Sequence, residues 1–132
     1  MILNLGCGHK VSEKMVNVDF VSDRKDVTAH NLLKPLPFTS GTADIVYHSN
    51  VLEHFTRLDG RRFIEENYRV LKPGGYLRCV VPDLENVVRE YLSVLDQCRK
   101  DGINEKYQWI IVELLDQLIR HKPGGEMAEF LS

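Results

Sequence analysis

Residues 6 to 8 read Gly-Cys-Gly and end an apolar run, and Asp19 ends the next one. Glycine directly after a strand lets main chain lie close against a ligand. A carboxylate at the end of a neighbouring strand can accept hydrogen bonds from both hydroxyls of a ribose. Further along, His54 is the best candidate for a base, histidine being the side-chain type suited to proton transfer around neutral pH. Asp83 follows Pro82 and is a second catalytic candidate, with helix capping as its other reading. Glu53 reads as a buttress for nearby main-chain N–H groups. Cys7, between two glycines, reads as a small residue tolerated against a ligand rather than as a nucleophile. The spacing of His30, His48 and His54 matches no metal-ligand motif, so no metal is expected. Arg57, Arg61 and Arg62 form a basic cluster whose default reading is a solvated helix start.

Spacing narrows the ligand. A dinucleotide loop requires a third glycine at position 11, where Val11 stands. Asp19 follows Gly6 by 13 residues, where a dinucleotide site expects about 20. The helix that would cradle a pyrophosphate is therefore shortened or missing. An adenosine carrying no phosphates would not need it. S-adenosylmethionine is such a ligand, with Gly6 and Gly8 against its methionine part and Asp19 on its ribose. A nicotinamide oxidoreductase is disfavoured on the same grounds.

Alternating elements must position these residues. Apolar runs predict strands over residues 1–5, 15–20, 26–30, 43–48 and 76–81. Residues 34–41, rich in proline and glycine, read as loop. Phe63, Ile64, Tyr68 and Leu71 share one helical face, and Lys72-Pro73-Gly74-Gly75 is expected to stop that helix. A second helix follows Asp83, with Leu84, Val87, Val88, Tyr91, Leu92, Leu95 and Cys98 at helical spacing. A last helix carries Tyr107, Ile110, Ile111, Leu114, Leu115 and Leu118 and ends at a second KPGG, residues 122–125. Strands alternating with helices imply an α/β fold, a Rossmann-like mostly parallel sheet with helices on both faces. In such a sheet Gly6, Asp19, His48 and Pro82 would meet at one carboxyl-end rim.

The totals agree. The chain has 132 residues, 43% of them hydrophobic and 27% charged, with a net charge of -2. That is one globular domain, residues 1–132, with no charge signature for nucleic acid and no apolar run long enough for a membrane helix. Three unpatterned cysteines point to a reducing, cytoplasmic setting.

LNLGCGHK, then VNVDF, then HNLLKPLPFTSGTADIVYHSNVLEHF, then YRVLKPGGYLRCVVPDLE follow one another in this order. The series resembles class I S-adenosylmethionine-dependent methyltransferases, most closely the short bacterial branch related to the ubiquinone-biosynthesis type. The resemblance spans about residues 1–90. It implies that Asn4, Gly6, Cys7 and Gly8 line the methionine side of S-adenosylmethionine and that Asp19 holds the ribose. Asn31 and Leu32 would meet the adenine, Ser49 and Asn50 would border the cofactor, and His54 would lie near the pocket mouth. S-adenosylhomocysteine would be the product and a small molecule or saccharide the methyl acceptor. Only seven residues follow Gly125, too few for the two further strands usual in the family, a reversed hairpin, so the sequence reads either as a naturally minimal form or as a chain cut short. An uncovered fifth strand would then be met by a homodimer, through that edge or through the last helix. The shortened crossovers also leave open a non-catalytic, methyltransferase-like scaffold domain.

Overall fold

The computed structural model describes residues 1–116. Five strands form one parallel sheet: β1 (Ile2–Leu5), β2 (Val16–Asp19), β3 (Val27–Ala29), β4 (Ala43–Ser49) and β5 (Leu71–Val80). Their order is β3-β2-β1-β4-β5. Three helices accompany them: α1 (Arg57–Val70), α2 (Leu84–Asp101) and α3 (Glu105–Asp116). A 3-10 turn, Leu52–His54, joins β4 to α1. This is the expected α/β, Rossmann-like architecture. Leu118 and the second KPGG lie outside the described residues.

Strand order reverses at β1. The chain moves outward through β2 and β3, then returns to the other side of β1 with β4. Parallel register aligns Leu3 with Val16 and Val46, and Leu5 with Val18 and His48. Aligned residues share a face, and α1 covers this one. Leu3, Leu5, Val18 and Val46 bury against Phe63 and Val70 in the main core. Truncating Phe63 to alanine would cost about 3–5 kcal/mol. α2 and α3 pack on each other, with the rings of Tyr91 and Tyr107 in tilted contact at a centroid distance of 6.0 Å.

Three crossovers carry no helix: residues 6–15, 20–26 and 30–42. β2 and β3 pair in parallel across a connection of residues 20–26. The dozen or more residues usual for a crossover are unnecessary here because β3 has only three residues to retrace. The ion pair Arg24–Asp26 and the bond from His30 N–H to Asp19 C=O close the segment. The long connection of residues 30–42 is held from α1. The Arg69 guanidinium donates to the carbonyls of Leu36 and Phe38, and Glu66 accepts the Leu36 N–H and pairs with Arg69.

Three expectations need correction. First, the buried face of α1 is Gly60, Phe63, Asn67 and Val70; Tyr68 is 81% exposed and Ile64 only half-buried. The apolar count misled because a buried position is occupied by polar Asn67. Second, the first KPGG does not cap the helix. Leu71 is already extended (φ -69°, ψ 139°), and β5 starts there. Pro73 has no N–H to donate and biases Lys72 to extended backbone. The segment bulges within β5, since β4 advances from Ala43 to Ile45 while β5 advances from Leu71 to Tyr76. A Cβ on Gly75 would lie 2.9 Å from Leu71 Cδ2 and 3.0 Å from the Asp44 carbonyl oxygen, so only glycine fits there. Third, His48 is not at the rim. It lies inside β4, fully buried, with its ring 5.0 Å from that of Phe63. β4 continues to Ser49, and strand alternation turns residue 48 toward α1.

Candidate functional site

The glycine loop folds back on β2. The N–H groups of Gly6 and Cys7 both reach the Val18 carbonyl, at 2.8 and 3.2 Å. Gly6 (φ +65°) and Gly8 (φ +53°) are left-handed, a conformation that favours glycine. They differ in surroundings. A Cβ on Gly6 would lie 2.3 Å from Val51 Cγ2, whereas one on Gly8 would meet nothing within 4 Å. Gly6 thus seats the loop on the start of the segment after β4, and Gly8 borders open space.

Asp19 closes this space from the side. Its Oδ2 accepts the Gly8 N–H at 2.6 Å and its Oδ1 accepts the Phe20 N–H at 2.7 Å. Each oxygen keeps acceptor capacity for a further donor. The carboxylate is therefore oriented by main chain before any ligand arrives.

Asn4 works from beneath. It is 5% exposed, and its Nδ2 donates to the Lys10 carbonyl and to Asn17 Oδ1. Asn17 in turn accepts the Ser12 N–H and donates to the Ser12 carbonyl. Two buried amides thus hold the whole loop of residues 6–15, and the Asn4 side chain faces this network. Sequence reasoning passed over Asn17. The available signal was a polar residue in the middle of each of two otherwise apolar strands, at positions the register aligns.

The other candidates fall as follows. Cys7 is buried; burial, then Asp19, pushes its thiol above the ordinary range, so it rests protonated. Leu32 is 2% exposed and belongs to the core. Asn31 is exposed, and its Oδ1 accepts the Leu33 N–H, which uses one lone pair of that oxygen. Ser49 Oγ donates to Asn50 Oδ1, and the Asn50 N–H reaches the Val80 carbonyl. Asn50 is left-handed (φ 56°), the single such non-glycine among the described residues; asparagine tolerates that region better than most. His54 ends the 3-10 turn, half-buried. Beside it, Phe55 packs edge-on against Phe20 and Phe63, at 6.4 and 5.2 Å. Asp83 is the N-cap of α2: its Oδ1 accepts the Asn86 N–H at 3.0 Å. Of the histidines, His30 contacts the Pro35 carbonyl and His48 lies in the core.

Ends of β1, β2 and β4 thus converge where strand order reverses, the usual ligand position in open α/β sheets. The loop offers main chain and a preset carboxylate rather than a nucleophile.

A family model described as "Methyltransferase domain" matches residues 7–79, more than half of the chain. The match takes in Gly8, Asp19, Asn31, Asn50 and His54, and stops before Asp83. No curated protein matches the chain.

Proposed function

Because the chain belongs to the methyltransferase domain family, we propose that it transfers a methyl group from S-adenosylmethionine to a small-molecule acceptor. The carrying observation is the Asp19 carboxylate, bonded to the Gly8 N–H at 2.6 Å beside space that a Gly8 side chain would enter. These residues fit the cofactor. Asp19 would accept from the ribose hydroxyls, while the main chain at Gly6–Gly8 would lie along the methionine part. Asn31 would reach the adenine edge, with Ser49 and Asn50 on the opposite wall. Leu32 would contribute only by holding Asn31 from the core.

When bound, the cofactor supplies an electrophilic methyl on a sulfonium, with a neutral thioether as leaving group. The chain's own task is alignment and exclusion of water, which can be worth about 7–11 kcal/mol. We assign His54 as the group that takes a proton from the acceptor where one must leave. Asp83 is left to cap α2. The finer kinship with the ubiquinone-biosynthesis branch rests on VLEHF and RVLKPGG. Self-association through the β5 edge and a cytoplasmic site of action complete the reading. The free state of all three cysteines supports the latter. No helix among the described residues is long and apolar enough to cross a membrane.

The test is calorimetry with S-adenosylhomocysteine. One-to-one binding is expected, with Asp19→Ala weakening it at least about tenfold and Asp19→Asn less, since an amide oxygen still accepts. No heat at millimolar ligand from folded wild-type protein overturns the reading.

A further inference from the structure

One cavity lies outside the rim just described. It is a groove of about 420 Å³ at the start of α1, lined by the apolar Leu52, Phe55, Gly60 and Ile64 together with Thr56, Arg57, Arg61 and Glu65. Gly60 lets the helix start pack closely on Leu52: a Cβ there would stand 3.2 Å from Leu52 Cδ1. Two cations and one acid, Glu65, border it. Arg57 opens α1, where the helix dipole adds partial positive charge. Arg61 touches Glu65 through Nε at 2.9 Å, but both side chains are exposed. Exposed pairs of this kind are weak, so the guanidinium is available to a better partner. The groove is therefore part apolar and net positive, in a chain that is net negative overall.

One aromatic contact links the groove to the rim. Phe55 lines the groove, and the same ring packs on Phe20. Phe20 follows Asp19 directly and donates its N–H to that carboxylate.

We propose that this groove seats the methyl acceptor, and that the acceptor is an amphipathic carboxylate. Its acyl or aryl body would lie on Leu52, Phe55 and Ile64, with its anionic group between Arg57 and Arg61. The word acceptor rests on the methyltransferase reading; the binding of an apolar anion does not.

Octanoate is the probe, titrated into the full chain and followed by backbone amide shifts, with octylammonium as the comparator of opposite charge. Octanoate is expected to give saturable shifts across residues 52–65 and to bind about tenfold more tightly than octylammonium. Arg57→Ala/Arg61→Ala, two exposed changes that leave the core intact, should abolish that preference. Asp19→Ala should keep octanoate binding while losing the cofactor, which separates failure of this proposal from failure of the methyltransferase reading. Equal affinity for the two probes, or no saturable shift in 52–65, overturns the site. Shifts confined to α1 that leave Phe20 unmoved overturn its assignment to the acceptor.

Discussion

Gly6 and Val51 are in such close contact that a single added methyl at residue 6 would fall 2.3 Å from Val51 Cγ2. Val51 directly follows left-handed Asn50, so this contact ties the first loop to the segment leaving β4. Gly6→Ala is expected to destabilise the fold by about 2–4 kcal/mol, from left-handed strain plus overpacking against a stiff β-branched side chain. Adding Val51→Ala should recover part of the loss, because the clash goes and the φ strain stays. Urea unfolding of both variants measures this; additive losses would disprove the contact.

Asn17 is the hub under the same loop. It accepts from Asn4 and Ser12 and donates to the Ser12 carbonyl at 2.9 Å. Asn17→Ala strands those groups, and the expected destabilisation is about 1–3 kcal/mol. Affinity for S-adenosylhomocysteine should fall as well, even well below the unfolding temperature, because the loop loses its tether. Unchanged calorimetric affinity in a destabilised variant would confine Asn17 to folding alone.

His48 makes stability depend on pH. Its ring is fully buried, and neither nitrogen has a hydrogen-bond partner among the described residues. Burial lowers its pKa to about 4, against about 6.5 in an unfolded chain. A depressed histidine pKa means the unfolded state binds the proton first. The contribution is therefore fully present above pH 6.5, declines as pH falls, and is exhausted near pH 4. The expected loss between pH 7 and pH 5 is of order 2 kcal/mol. His48→Leu removes this slope and, by deleting buried polar atoms that lack partners, should match or exceed wild type at pH 7. Urea midpoints at the two pH values decide it; an equal slope in the variant would place the titration elsewhere.

Much of the architecture was legible in the chain itself. Strand positions followed from short apolar runs, because a strand buried on both faces has few places for polar residues. β3 (Val27–Ala29) lay inside the expected 26–30, and β2 (Val16–Asp19) ended on the expected acid. The faces of the helices were less legible. α2 buries Val87, Val94 and Cys98 but exposes Leu84, Val88 and Leu92. Its apolar residues cover more than one stripe, and periodicity alone does not choose between stripes.

What the sequence determined by itself was the kind of site: two glycines after a strand, an acid after the next, and a spacing that leaves no phosphate-binding helix. These are local properties, set by which backbone shapes and hydrogen bonds each residue type permits. What only the tertiary structure decided was how the parts are held. Parallel register brings Asn4 beside Asn17, chain return brings Val51 onto Gly6, and strand alternation sends His48 inward while Asp19 stays at the rim. Such pairings join residues distant in the chain, and their geometry depends on the sheet as a whole.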